Sequence, residues 1–291
     1  MCSAITRRAG ACIWVCALLA ASPVHASNVT AVPRAGGIAS TALCADAYVL
    51  AVAGPGRISA LSWQAAQPVS AAPDWARDLP AAWSDAERLY TLAPDLTVFD
   101  PGGGGRTARL MERAELDTFE LAWSDDFDGV RANLLALGDR LGEAGRAEAA
   151  IADLDARLDA LAARTERRGM RPRVLYLSAS GGSAGAGTYI DAAIAAAGGI
   201  NVMARDGISG WTRSDPETFL TVETDIVLTS FFTDGFRSTF NHGVHHAAYR
   251  HLLEDAARVD IPAGDWPCAG PRLIDAAERI ADALDAWAGT P

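Results

Sequence analysis

The chain has 291 residues, of which 50% are apolar and 21% are charged, and this composition excludes a disordered chain. Its length is sufficient for roughly two domains with separate cores. The formal net charge of −11 argues against a nucleic-acid partner, because binding to phosphates needs a basic face. Every basic residue is arginine, which excludes lysine Schiff bases, Ser–Lys hydrolase pairs and the P-loop.

Residues 1–26 have the pattern of a secretory signal peptide. Two arginines precede an uncharged and mostly apolar stretch, 9–21, which is too short to span a membrane. The Val-His-Ala sequence that ends at Ala26 offers small residues at the positions that a signal peptidase reads. We therefore predict cleavage after Ala26 and export from the cytoplasm.

Residues 27–126 alternate between short apolar runs and helical patterns. Such alternation predicts a parallel sheet with helical crossovers, because successive parallel strands need a helix to return the chain to the same end of the sheet. The expected strands are 38–41, 57–63, 96–99 and 118–121, and the expected helices are 45–53 and 106–114.

Residues 127–168 form a helical region that ends before a second alternating stretch. Four apolar residues in it recur at spacings of three and four, with charged residues between them. This spacing predicts an amphipathic helix with one buried stripe. The stripe consists of Ile151, Leu154, Leu158 and Leu161. We expect the helical region to be interrupted near 142–145.

In residues 169–291 the alternation of strand and helix starts again. The expected strands are 173–179, 226–232 and 259–261, and the expected helices are 189–197, 244–257 and 271–287. The chain is therefore predicted to have two α/β lobes, each with a parallel central sheet, bridged by one long α-helix.

A short motif occurs once in each lobe. The pattern Ser-Asp-x-Glu begins at Ser84 and again at Ser214, with a tryptophan just upstream in both cases. In each copy an Asp follows the Glu by eight residues and precedes an apolar run. An acid near the start of a helix is favoured by the helix dipole, so both copies predict a capped helix followed by a buried strand. The repeat favours duplicated lobes.

Six short stretches follow one another along the chain in a characteristic order. They are Leu43-Cys44-Ala45-Asp46, Ala86-Glu87-Arg88-Leu89, Ala93-Pro94-Asp95-Leu96, Gly185-Ala186-Gly187-Thr188, Ala197-Gly198-Gly199-Ile200-Asn201-Val202 and Asp265-Trp266-Pro267-Cys268-Ala269-Gly270-Pro271-Arg272. In this order they resemble the class III substrate-binding proteins of ABC importers, which carry ferric siderophores, haem and cobalamin. The resemblance covers 38–287 and implies two Rossmann-like lobes, a non-catalytic periplasmic monomer, and a permease dimer in the inner membrane as partner.

The resemblance implies a docking role for one acidic residue on each lobe. The matching residues are Glu87 and Glu217, one in each copy of the repeat, and they are expected to face arginines of the permease. The alternative is that both are simply favourable acids in a first helical turn.

The ligand is expected between the lobes, at the carboxyl ends of the strands. Flat aromatic side chains suit flat chelates, which makes four tryptophans candidates for the ligand wall, with partly buried core as the alternative. They are Trp63, Trp83, Trp211 and Trp266. Arg106, after four glycines, and Arg213 are candidates for holding a ligand carboxylate or phosphate, or else are solvated surface residues. Few cationic residues near the cleft favour a neutral ligand such as cobalamin over an anionic siderophore.

Two further clusters have open interpretations. His242, His245 and His246 carry metal-ligating groups, but a polar loop at a helix start is the better interpretation, so no metal site is predicted. Cys44 and Cys268 lie on expected cleft loops of different lobes. They form a disulfide, remain as free thiols, or bind a soft metal.

The alternative function is a secreted α/β serine hydrolase. Gly181-Gly182-Ser183-Ala184-Gly185 matches G-x-S-x-G after a strand, which makes Ser183 the candidate nucleophile. The motif requires a helix to start at the serine, whereas here two more glycines delay the helix to about Thr188. We therefore favour a binding protein that is not an enzyme and needs no cofactor beyond its ligand.

Overall fold

Two parallel β-sheets organise the chain in the computed structural model, which describes residues 36–213, 216–230 and 247–289. The first sheet has the strand order β3-β2-β1-β4-β5. All of its strands run parallel, as the alternation predicted. The strands are β1 Ile38–Ser40, β2 Ile58–Ser62, β3 Ala81–Ala82, β4 Leu96–Phe99 and β5 Thr118–Glu120.

The central strands β1 and β4 are buried along their whole length, because helices cover both faces of a parallel sheet. The covering helices are α1 Leu43–Val52, α2 Asp74–Arg77, α3 Ala86–Leu92 and α4 Gly105–Arg113. The first copy of the repeat caps α3 as expected: the Asp85 carboxylate accepts a hydrogen bond of 3.0 Å from the Arg88 backbone N–H.

The helical region consists of two helices, α5 Phe127–Leu141 and α6 Ala144–Arg168. Asp126 caps α5, and the helix ends at Gly142, whose φ of +67° favours glycine. A Cβ on Gly138 would lie 2.5 Å from the Ala147 Cβ, so the glycine lets the two helices approach closely. The bridging helix is therefore α6 alone, whose 25 residues span about 37 Å.

The second lobe contains a four-stranded parallel sheet in the order β11-β10-β6-β8. Its strands are β6 Arg173–Ser178, β8 Ile200–Asn201, β10 Ile226–Ser230 and β11 Ala257–Asp260, and the antiparallel ribbon beside it pairs β7 Gly182–Ala184 with β9 Trp211–Arg213. The helices are α7 Tyr189–Ala196, α8 Val202–Arg205, α9 Pro216–Thr221, α10 Ala247–Asp255 and α11 Leu273–Ala288. The sequence did not predict the ribbon. None of the described helices is long and apolar enough to cross a bilayer.

A seam of ion pairs joins α6 to α11. Three arginines of α6 project towards four acids of α11, in addition to the apolar stripe beneath them. The pairs are Arg157 with Asp275 and Glu278, Arg164 with Asp282 and Asp285, and Arg168 with Asp285. The seam fixes the bridging helix to the second lobe, so the two should move as one body.

We expect Glu278→Gln to lower the free energy of unfolding by about 1 kcal/mol at pH 7. Hydrogen bonds from Arg157 hold the pKa of Glu278 below its ordinary value of 4.5. A lowered pKa in the folded state gives stability that is present above pH 4.5 and lost as the pH falls through the folded value. The gain is modest, because water screens a side chain that is 36% exposed.

Urea unfolding of both proteins at pH 7 and near pH 3 checks this expectation. The difference between them should shrink at the lower pH, and the exposed Glu148→Gln on the same bridging helix should change neither value. An equal loss at both pH values would show that the ion pair is not its source.

Candidate ligand-binding cleft

A cleft of about 470 Å³ lies between the carboxyl ends of the strands of the two lobes. Loops after β1, β2, β4 and β5 line it from the first lobe. Tyr189, Trp211 and the loop 267–269 line it from the second. This is where open α/β sheets bind ligands, and it is the position that the sequence predicted.

A disulfide between Cys44 and Cys268 forms part of the cleft wall and joins the two lobes. Their Cα atoms are 5.9 Å apart, although 224 residues separate them in the chain. Beside this bond, the Tyr48 hydroxyl donates a hydrogen bond of 2.8 Å to the Ala269 carbonyl. The sequence left three interpretations of these cysteines open, and the structure shows the disulfide.

Trp211 is the expected wall residue that the structure places in the cleft. Its ring is 53% exposed and stands on β9. Two tyrosine rings pack against the Trp211 ring. The Tyr189 ring centroid lies 5.2 Å from that of Trp211, and the Tyr176 ring centroid lies 6.2 Å from it, edge-on. Burial raises the pKa of Tyr189, and Asp125 of the opposite lobe raises it further, so both side chains meet at the cleft.

Trp63 and Trp83 stack on each other outside the described cleft wall. Their ring centroids are 5.1 Å apart at an interplanar angle of 10°, and the Arg88 guanidinium lies 5.8 Å from the Trp83 ring. Each ring remains about 40% exposed. The two rings form an exposed, stacked aromatic pair on the first lobe. The role of this pair in ligand binding stays a prediction.

Trp266 is buried, which corrects the expectation that its ring lines the ligand site. The side chain is 1% exposed. Its Nε1–H donates a hydrogen bond of 3.0 Å to the Ser230 hydroxyl, and its ring packs edge-on against Tyr176 at 5.6 Å. The loop turns this indole into the core, and the neighbouring Cys268 faces the cleft instead.

The two candidate arginines lie outside the described cleft wall. Arg106 is in the first turn of α4, and Arg213 is the last residue of β9, and both are exposed. Neither guanidinium has a hydrogen-bond or ion-pair partner among residues 36–213, 216–230 and 247–289, whereas the backbone of Arg213 is paired with Gly182 in the ribbon. Their contact with a ligand therefore stays a prediction.

The described wall of the cleft carries carboxylates and no basic side chain. Its ionisable groups are Asp100, Asp125, Tyr48 and Tyr189. Burial raises the pKa of Asp100, and the nearby Glu120 carboxylate raises it further. The field inside this part of the cleft is therefore unfavourable for an anion.

Sequence reasoning missed Trp123, which is 79% exposed and lines the cleft. It also missed Asn133, which is 3% exposed and holds the backbone of the residue before Trp123. The available signal for Trp123 was its position just after an expected strand, where cleft loops begin. No pattern in the sequence singled out Asn133.

The two candidate docking acids, Glu87 and Glu217, are exposed in the first turns of α3 and α9. They therefore occupy equivalent positions in the two lobes. Ser214 and Asp215 of the second copy of the repeat lie outside the described residues. So do His242, His245 and His246. Within the described residues, no group of three or more His, Cys, Asp or Glu side chains could hold a metal ion.

Ser183 does not have the geometry of a catalytic nucleophile. It lies within β7, is 1% exposed, and donates a hydrogen bond of 2.6 Å to the Tyr176 carbonyl. A nucleophile elbow instead requires an exposed hydroxyl at a strand-to-helix turn. The structure thus contradicts the serine-hydrolase alternative at its one candidate residue.

Residues 49–247 match the sequence profile of the family described as periplasmic binding protein. The chain belongs to this family, and its two lobes with parallel sheets have the class III fold. The matching region includes β2 through β10 and much of the cleft wall.

Similar proteins include a cobalamin-binding protein of Halobacterium salinarum, 29% identical over 158 residues. That match covers 54% of this chain and 43% of the relative, so the chain matches less than half of that protein's length. Among solved structures, the fold is similar to the haem-binding protein RhuT from Roseiflexus sp. RS-1, with a TM-score of 0.69, 22% identity and coverage of 85% of this chain and 98% of that one. It is also similar to the vitamin B12-binding protein BtuF of Vibrio cholerae, with a TM-score of 0.64, 20% identity and coverage of 87% and 98%.

Proposed function

We propose that this protein is the periplasmic substrate-binding component of an ABC importer and that it captures a corrinoid between its lobes. The observation that carries the proposal is the open, aromatic-lined cleft between the disulfide-linked lobes. The chain then delivers its ligand, as a monomer, to a permease dimer in the inner membrane. Its function needs no catalytic residue and no resident cofactor.

The charge of the cleft favours a corrinoid over the other chelates of the resemblance, ferric siderophores and haem. Haem carries two propionates, and many ferric siderophores are anionic, so each needs cations that the described wall lacks. The side chains of a corrin ring are mostly neutral amides. These can donate hydrogen bonds to Asp100 and Asp125, and the flat ring can lie against Trp211.

The cobalamin-binding relative supports the same assignment, since its matched region extends over about half of this chain. The expected signal peptide, 1–26, supports a periplasmic location. Both the disulfide and the seam between α6 and α11 restrict hinge motion, so we propose that the lobes move little when the ligand binds.

The test is a titration of the mature protein with ligands that differ in charge. Cyanocobalamin, haemin, haemin dimethyl ester and an anionic ferric siderophore are added separately, and tryptophan quenching is corrected for absorbance with free N-acetyltryptophanamide. We expect saturation by cyanocobalamin below 1 μM, as an order-of-magnitude affinity for an importer's binding protein. We also expect haemin to bind at least tenfold more weakly.

The ester is the matched control for charge, because it keeps the macrocycle of haemin and removes both carboxylates. The ester should bind with at least the affinity of haemin, because it lacks the two negative charges that the cleft carboxylates disfavour. Tight binding of haemin with none of cyanocobalamin would overturn the corrinoid assignment. No response to any of the four would overturn the chelate-binding function.

A further inference from the structure

The Trp123 ring is the most exposed large apolar side chain in the described part of the chain, at 79%. It lies in the cleft that Trp211 lines from the other lobe. An indole left in water loses the favourable free energy of apolar burial, which a bound molecule can restore. Its place in a concave site, rather than on an outer face, points to a ligand as the group that covers it.

The backbone before this ring is held by the buried side chain of Asn133 on α5. The Asn133 Oδ1 accepts a hydrogen bond of 2.9 Å from the Ala122 N–H, and its Nδ2 donates one of 3.0 Å to the Ala122 carbonyl. The amide thus makes the two bonds that a neighbouring strand would make. Because Asn133 is 3% exposed, breaking them would leave buried polar groups unpaired.

The glycine loop after β4 passes beside the Trp123 ring. Gly102 has a φ of +74°, and a Cβ at that position would lie 3.5 Å from the Trp123 Cζ2, so the loop runs beside the indole. The Gly102 N–H in turn donates a hydrogen bond of 3.0 Å to the Glu120 carboxylate. The exposed ring is therefore fixed at its backbone, and the glycine loop passes beside its edge.

We propose that Trp123 is the ligand-contact residue of the first lobe and that Asn133 is its positioning residue. Trp123 and Trp211 then contact the ligand from opposite lobes. This inference rests on the proposed function and adds residues to it.

The experiment measures cyanocobalamin affinity by calorimetry for Trp123→Ala, Trp123→Phe and Trp211→Ala. We expect Trp123→Ala to raise Kd about tenfold or more, as loss of an aromatic anchor does, and Trp123→Phe to raise it less. Trp75→Ala is the matched control, because Trp75 is 46% exposed but lies outside the cleft wall. Its Kd should stay within twofold of the wild-type value.

Asn133→Asp tests the positioning role, since it keeps the side-chain shape and removes the Nδ2 that donates to the Ala122 carbonyl at 3.0 Å and, more weakly, to the Tyr48 hydroxyl at 3.5 Å. We expect it to raise Kd severalfold in the wild-type background and to have no further effect in Trp123→Ala, because Asn133 acts through that ring. In protein labelled with 5-fluorotryptophan, the ¹⁹F resonance that Trp123→Phe removes should shift or broaden in Asn133→Asp without ligand.

The outcomes separate this inference from the function beneath it. If the wild type binds cyanocobalamin and Trp211→Ala weakens binding, but Trp123→Ala stays within twofold, the role of Trp123 is wrong and the function stands. If Asn133→Asp lowers affinity equally in both backgrounds, its role is structural and the positioning claim fails. If the wild type binds no macrocycle, both proposals fail.

Discussion

Replacing Cys44 and Cys268 together by serine is expected to lower the free energy of unfolding by roughly 3–5 kcal/mol. The bond closes a loop of 224 residues, so its loss greatly increases the conformational freedom of the unfolded chain. It also removes the disulfide that joins the two lobes in addition to the polypeptide chain through α6. Urea unfolding of the oxidised wild type and of the double variant gives the difference.

Reduced wild-type protein is the control for this prediction, because it lacks the bond and keeps both sulfur atoms. It should unfold at nearly the same urea concentration as the double variant. A difference below about 1 kcal/mol between oxidised and reduced wild type would show that the lobes are held together by packing alone. The double variant is preferred to either single one, which would leave a reactive thiol.

Replacing Glu87 and Glu217 together by alanine is expected to abolish ligand uptake and to leave ligand affinity unchanged. Both carboxylates are exposed, on equivalent first turns in the two lobes, and neither lines the described wall of the cleft. Paired charges of this kind steer docking onto a basic partner. Uptake of labelled ligand by cells that carry the cognate permease, together with calorimetry on the purified variant, separates the two effects.

A matched control is the double variant Glu148→Ala with Glu254→Ala. It also removes two exposed helical acids and changes the net charge equally. Transport by this control should remain near the wild-type rate. Normal transport by the Glu87 and Glu217 variant would instead show that these acids only favour their helices, which is the alternative the sequence left open.

The sequence predicted the lobes well because its apolar runs and glycine breaks are local signals. The buried strand Leu96–Phe99, for example, was predicted with its full bounds. The ribbon formed by β7 and β9 was missed, since one of its strands lies in a glycine-rich stretch with little side-chain pattern. Its pairing depends on residues about thirty positions apart.

The site was harder to predict, because the direction of a side chain on a loop is set by tertiary packing. Trp266 and Trp211 were both expected on cleft loops, yet one indole bonds to Ser230 in the core and the other stands on β9 in the cleft. The cysteine pairing was open for the same reason, since only the folded lobes bring the two Cα atoms within 5.9 Å. Trp123 carried no motif, and its exposure emerges only from the structure.

Binding of a corrinoid in the cleft between the lobes is best measured by equilibrium dialysis of the mature, oxidised protein against cyanocobalamin, because bound ligand is counted by its own visible absorbance. We expect one cyanocobalamin bound per chain, with half-saturation below about 1 μM. The protein is present at ten times this half-saturation concentration. If cyanocobalamin nonetheless reaches equal concentrations on both sides of the membrane, the corrinoid assignment is wrong.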